Sequence, residues 1–175
     1  ELIAENPDVL LVSTTPAALA AKAATTHIPI VFAAVADPLG VGLVASLARP
    51  GGNITGVTNI VAELAGKRLE LLKVLLPKAK RVAVLVNHND PNAPLQMRQA
   101  EAEARRLDIR LDPILEVRGL GDGAKAIAAA AHAGAHAALR LVDPTTTLLR
   151  GEIARAAAKH RLPVIYAFRE DVAAG

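Results

Sequence analysis

The chain has 175 residues, a net charge of +3, 52% hydrophobic and 21% charged residues, so it can fill the core of one large domain or two small ones and is no disordered tail. Cysteine is absent, which excludes disulfides and thiolate metal sites, and no apolar run approaches the roughly 18 residues of a membrane span. Lys and Arg are scattered with no aromatics between them, which argues against a nucleic-acid platform; with aromatics at 2%, the core must be Leu, Val, Ile and Ala.

Residues 1–7 read as the tail of a helix closed by Asn6-Pro7. Asp8–Thr14 is a strand-length apolar run, continuous rather than alternating, as expected for a strand covered on both faces. Thr14 or Thr15 is placed to cap a mostly Ala helix over 17–25, with Pro16 at its first position. A strand over 28–35 leads into Asp37-Pro38 and a predicted helix over 41–48, ended by Arg49-Pro50-Gly51-Gly52. Asn53–Thr58 is a third strand, and 61–76 a helix with Leu64, Leu71 and Leu75 at helical spacing and Lys67, Arg68 and Glu70 outward.

The second half repeats this grammar. Arg81–Asn87 is a strand, 89–94 a polar loop, 95–107 a charged amphipathic helix and 109–117 a strand with the alternation of a sheet edge. A loop over 119–123, an Ala-rich helix over 124–133 and a strand over 135–142 follow. Asp143-Pro144 opens a single predicted helix over 145–160, and 162–168 is the last strand. Seven strands alternating with helices specify α/β architecture with parallel sheets and right-handed crossovers. They group as three (8–59) and four (81–168), which predicts two lobes.

In such sheets ligands bind beyond the carboxyl ends of the strands. The polar residues there are Ser13, Thr14 and Thr15 after the first strand, Asp37 after the second, Thr58 and Asn59 after the third, Asn87 to Asn89 after the fourth, Asp143 after the sixth and Tyr166 in the seventh. Two readings stand for each. Ser13, Thr14 and Thr15 form a helix cap or an anion site suited to a carboxylate. Asp37 and Asp143, each before proline, are N-caps or carboxylates that meet a ligand amine. Asn87 is a turn residue or an amide donor.

Other patterns carry less. Pro50-Gly51-Gly52-Asn53 precedes a strand and lacks a following Lys-Ser/Thr, so it reads as a tight turn rather than a phosphate loop. Gly119 to Gly123 does not match a dinucleotide fingerprint. His132 and His136 stand four apart, but Gly134 separates them and no Glu follows His132, so neither metal nor cofactor is expected. With no GxSxG, no cysteine nucleophile and no paired carboxylates, an enzyme is not expected.

The stretches IPIVFAAVADPLGVGLVASLARPGGNITGV, GKRLELLKVLLPKAKRVAVLVN and HRLPVIYAFRE resemble the substrate-binding proteins of bacterial ABC transporters, a group with members that bind aromatic amino acids. The resemblance implies a type I periplasmic-binding-protein fold: two flavodoxin-like lobes closing on a small ligand in the cleft between them. Residues 1–58 would be the latter part of an incomplete first lobe, 59–168 the second lobe, and 169–175 the start of a crossover back. It further implies a small polar solute, an amino acid above all, carboxylate held by Ser13, Thr14 and Thr15, amine met by Asp37 or Asp143, Asn87 donating and Tyr166 packing nearby. The implied partner is an inner-membrane ABC permease and the implied location periplasmic or extracellular, lipoprotein-anchored. A ligand-sensing domain of a regulator or receptor with the same fold is the alternative. The chain begins without Met or a signal-peptide pattern, so a longer parent is expected, and a half-built lobe with open strand edges is expected to form homodimers.

Overall fold

The computed structural model describes residues 2–174; Glu1 and Gly175, at the outer ends of the first and last predicted segments, lie outside the described residues. The chain divides into two compact units, Glu1–Ile60 and Val61–Gly175. Each is built on a parallel sheet.

The first unit opens with a 3-10 turn, Leu2–Glu5, and then runs β1 (Leu10–Ser13), α1 (Thr15–Ala24), β2 (Ile30–Ala36) and β3 (Ile54–Asn59). The strands pair in the order β1-β2-β3. Leu10, Ile30 and Ile54 align across the sheet and are buried with Phe32 beneath Ala18 and Ala21 of α1. The opposite face is open, contrary to the two-sided burial expected of β1: Leu11 is 75% exposed and Val57 69%.

The predicted helix over 41–48 is absent; residues 37–50 form consecutive turns. Gly42 adopts φ 71°, which ends any helix there. The Lys22 ammonium takes up the carbonyls of Gly42 and Leu43 at 2.6 and 3.0 Å. Leu43 and Val44 fill the core from this turn structure, while Leu47 of the same apparent stripe is exposed. Pro50 to Asn53 is a turn with Gly51 and Gly52 at φ 73° and 74°. Asn53 Nδ2 donates to the carbonyls of Ile28 (2.7 Å) and Thr25 (3.2 Å), fixing the entry to β2.

The second unit runs α2 (Leu64–Leu75), β4 (Arg81–Val86), α3 (Ala93–Arg106), β5 (Arg110–Glu116), α4 (Asp122–His132), β6 (Ala137–Arg140), α5 (Pro144–Leu148), α6 (Arg150–His160), β7 (Val164–Ile165) and α7 (Arg169–Ala173). The strand order is β5-β4-β6-β7, with β5 at the edge as its alternation predicts. Val82, Val84 and Val86 face one core, shared with α2 and α3; Ala83 and Leu85 face the other, shared with α4 and α6. This is a doubly wound sheet.

Three expectations change here. Helix α2 buries Ala65, Arg68, Leu69 and Leu72, not the Leu64, Leu71 and Leu75 stripe, which is 43%, 51% and 76% exposed. Apolar residues lie on more than one side of the helix, between Lys67, Arg68, Glu70 and Lys73, so two stripes fit the spacing. Arg68 decides between them, because its guanidinium finds acceptors inside. The helix expected over 145–160 is two helices, broken at Leu149, because Thr146 and Thr147 are drawn into side-chain hydrogen bonds with Arg140. The last strand holds only Val164 and Ile165 in the ladder; the chain then turns away into α7, which carries Asp171 to the same arginine.

Gly56 pairs with Phe32 beside an irregularity in β2 where Ala34 takes φ 57°. A Cβ on Gly56 would lie 2.1 Å from the Phe32 carbonyl oxygen and 2.6 Å from its ring. Gly56→Ala is therefore expected to destabilise the first unit by about 1–3 kcal/mol, read as a lower urea midpoint at unchanged slope.

Candidate ligand site at the sheet tips

In the second unit the strand order reverses between β4 and β6: the crossover from β4 leads to its outer neighbour β5, and the chain then returns to lay β6 on the other side. Loops leaving adjacent strands in opposite directions open a crevice at the carboxyl edge, the usual ligand position of doubly wound sheets. Asn87 follows β4 and Asp143 follows β6. The structure brings them together: Asn87 Nδ2 lies 3.3 Å from Asp143 Oδ1 and 3.3 Å from Thr145 Oγ1.

Both local roles foreseen for these residues are present. Asn87 Oδ1 accepts the amide of Asn89 at 3.0 Å, an Asx turn that leaves the amino group facing Asp143. Asp143 is the N-cap of α5, its Oδ1 accepting the amides of Thr145 (2.8 Å) and Thr146 (3.1 Å) and its Oδ2 the Thr146 hydroxyl (2.5 Å). At 5% exposure that carboxylate is committed to its own backbone.

Tyr166 lies past the end of β7, its ring centroid 5.6 Å from the Arg140 guanidinium carbon. Its hydroxyl is enclosed and has no hydrogen-bond partner among the described residues. Desolvation raises the phenol above its ordinary value, against the opposing pull of Arg140.

In the first unit Ser13, Thr14 and Thr15 and, one strand over, Asp37 occupy the carboxyl edge of the sheet. Thr14 stands at the N-cap position of α1 but makes no side-chain cap bond; its backbone takes φ 81°, a left-handed value rare for a β-branched residue. Thr15 is 3% exposed, whereas Ser13 is exposed. Asp37, at φ 45°, accepts the Gly40 amide at 2.9 Å and so closes a turn instead of capping a helix.

Around the second unit's tip lies a set of buried polar side chains: Gln96 and Arg140, which the sequence did not single out, and Arg68, expected to face outward on α2 and buried instead because its guanidinium finds acceptors inside. Gln96 of α3 pairs with both backbone groups of Val142, donating to its carbonyl (2.7 Å) and accepting from its amide (2.8 Å). Arg68 donates to the Arg140 carbonyl at 2.8 Å. Desolvation, with the nearby Arg140 charge, lowers Arg68 to about 10. Arg140 is wholly buried and ion-paired with Asp171. A charged residue inside the apolar run AALRLV was the available signal.

Among the described residues no group of acidic or His side chains could hold a metal ion. His136 is instead structural, its Nδ1 accepting the Arg81 amide at 3.1 Å.

The parallel sheets and the reversal between β4 and β6 place the protein among α/β ligand-binding folds of the type I periplasmic-binding-protein class. Solved structures agree. A domain from Streptococcus pneumoniae, in complex with L-Trp, superposes with a TM-score of 0.87 over 99% of this chain and 59% of that one, at 26% identity. A conserved domain protein from Vibrio cholerae gives a TM-score of 0.90 over 99% and 57% of the two chains, at 33% identity. The family of ABC transporter substrate binding proteins matches residues 1–175, and the chain belongs to it. A tyrosine-binding protein from Clostridioides difficile is 40% identical over 97 residues, 55% of this chain and 28% of that protein. The chain thus spans well under two thirds of each relative's length.

Asp90, 4% exposed in the loop after β4, yields a pH prediction. Desolvation raises its carboxyl above the ordinary 3.8, aided by the Asp143 charge and opposed by the Asn92 amide at 2.8 Å. A raised folded value means stability present below the unfolded value and lost as pH rises through the folded one. Asp90→Asn, which keeps the acceptor and removes the charge, is expected to melt higher than the parent at pH 7. The gap should close below about pH 4; melting curves at pH 3.5, 5 and 7 check it.

Proposed function

We propose that this chain supplies solute-binding surface to an ABC importer and holds a small polar molecule, best fitted by an amino acid, at the carboxyl edges of its sheets. The observation that carries the proposal is the Asn87–Asp143–Thr145 set at the point where strand order reverses. Family membership supplies the class: these proteins bind a substrate for a transporter and perform no chemistry on it. The L-Trp complex and the tyrosine-binding relative favour an amino acid, aromatic ones first.

In the second unit Asn87 gives the ligand the amide hydrogen that otherwise goes to Thr145 Oγ1 and keeps the other on Asp143, which fixes it, while Tyr166 is the apolar wall. In the first, Ser13 and Thr14 offer hydroxyls to a carboxylate, the opening turn of α1 that begins at Thr15 offers backbone amides, and Asp37 offers a carboxylate oxygen to an amine. The left-handed Thr14 and Asp37 support this, since such strain concentrates where geometry serves a ligand. An ABC permease as partner and a lipid-anchored extracytoplasmic location belong to the same proposal. Among the described residues no helix is long and apolar enough to cross a membrane.

Thermal shift and calorimetry on the protein at its natural length, against the common L-amino acids, test the reading. L-tyrosine or L-tryptophan at a hundred times its Kd should add about 2.7 kcal/mol of stability. Asn87→Ala should weaken binding by about 1.5–3 kcal/mol, the range for hydrogen bonds to charged groups. Absence of any response across the panel would refute the amino-acid assignment.

Produced by itself, the 175-residue chain is expected to dimerise through the open face of its first sheet, where Leu11 and Val57 stand exposed. Light scattering should show the dimer, and Leu11→Lys with Val57→Lys should return it to monomer.

A further inference from the structure

The hydrogen bonds that begin at Asn87 do not end at Asp143. Thr146 Oγ1 accepts from Arg140 Nη1 at 3.1 Å, and its own proton faces Asp143 Oδ2, 2.5 Å away, with the Leu141 carbonyl farther off at 3.0 Å. Arg140 Nη1 also donates to Thr147 Oγ1 at 3.2 Å, and Nη2 is ion-paired with Asp171. Asp171 in turn accepts the Phe168 amide at 3.2 Å and so secures the first turn of α7. The relay therefore runs from the tip of β4, through α5 and the end of β6, to α7. The ring of Tyr166 lies against its central guanidinium.

We propose that Arg140 is a positioning residue for ligand binding, clamping α5 and α7 to one another so that Asn87, Asp143, Thr145 and Tyr166 hold a single arrangement. This rests on the binding function proposed above. Burial points to it. Arg140 is 0% exposed and Asp171 1%, and a pair so deep gains little net stability over apolar residues of the same volume. What the pair adds is direction. A planar guanidinium with Nη1 on two hydroxyls and Nη2 on a carboxylate fixes the orientation of those neighbours, which an aliphatic side chain does not; its Nε has no partner among the described residues. Charge reinforces it: of the acceptors within reach of the single Thr146 proton, Asp143 Oδ2 is nearer than the Leu141 carbonyl and carries charge, and a proton placed there leaves Asp143 Oδ1 for the amides and Asn87.

The test uses the protein at its natural length with Arg140→Met/Asp171→Leu, which removes both charges and keeps the volume, and with Thr146→Val, which cuts the relay at its midpoint. Each single charge deletion should melt well below the parent, the double variant close to it. Hydrogen exchange without ligand should then show the amides of residues 145–149 exchanging at least about tenfold faster in the double variant and in Thr146→Val, with β4 and α6 unchanged. Affinity for L-tyrosine or L-tryptophan, whichever the parent binds, should fall about tenfold or more, with Arg140→Lys intermediate. Unchanged exchange in α5, exchange raised equally in β4, or loosened α5 with unaltered affinity would each overturn the proposal. Should the parent bind neither amino acid, the amino-acid reading fails by itself, and the clamp stands or falls on the exchange of residues 145–149.

Discussion

Strand β4 meets water on neither face: Val82, Ala83, Val84, Leu85 and Val86 are all without exposure. Parallel strands need crossover connections, and a strand buried on both sides needs helices on both sides. That requirement places α2 and α3 on one face and α4 and α6 on the other. Burial contributes about 1.5–3 kcal/mol for each large aliphatic side chain, and this strand supplies them to both of the unit's cores. Its two faces also dictate where polar groups go. With both faces apolar, hydrogen-bonding side chains gather at the carboxyl edge, and the reversal between β4 and β6 opens that edge.

The polar set at the edge is not a solvated fringe. Arg68, Gln96, Arg140, Asp143, Thr146 and Asp171 are all below 9% exposed, and their bonds run mainly to one another and to the backbone around β6. Buried groups of this kind cost several kcal/mol each when unpaired, and each is paired here through at least one atom. Arg68 shows the tension: two of its nitrogens find a carbonyl and an amide oxygen, none finds a carboxylate, and its affinity for the proton falls accordingly. Such a network forbids sliding of α2, α3, α5 and α7 against the sheet. That suits a surface whose contacts must keep fixed spacing.

The sequence carried most of the architecture and less of the site. The alternation of 109–117 marked an edge strand, whereas the continuous apolar run of 8–14 pointed to burial on two faces that β1 does not have. Side-chain direction within an apolar helix did not follow. Leu64, Leu71 and Leu75 and the stripe through Ala65, Leu69 and Leu72 fit the same period, and the choice fell to Arg68, whose acceptors lie 28 and 72 residues away in sequence. The failed helix over 41–48 has the same origin: Gly42 could be tolerated in a helix, but Lys22 is there to take the carbonyls that turns leave free. Asn87 and Asp143 were legible because strand ends are, whereas Arg140 and Asp171 meet only through tertiary contact.

The two Asp-Pro pairs look alike in sequence and differ in chemistry, and the difference bears on how a ligand amine would be held. Asp143 accepts two backbone amides, a hydroxyl and the Asn87 amide. An ammonium drawn to it would have to displace bonds that each contribute about 1–3 kcal/mol, and would loosen α5 in doing so. Asp37 accepts one bond, from Gly40, and is only half-buried. Its second oxygen can take an ammonium at no cost to the fold. Within the proposed function, Asp37 is therefore the carboxylate free to neutralise a ligand, and Asp143 the one that keeps Asn87 aimed. The helix-free connection over 37–53, opening on a left-handed aspartate, is then the price of leaving one acid uncommitted.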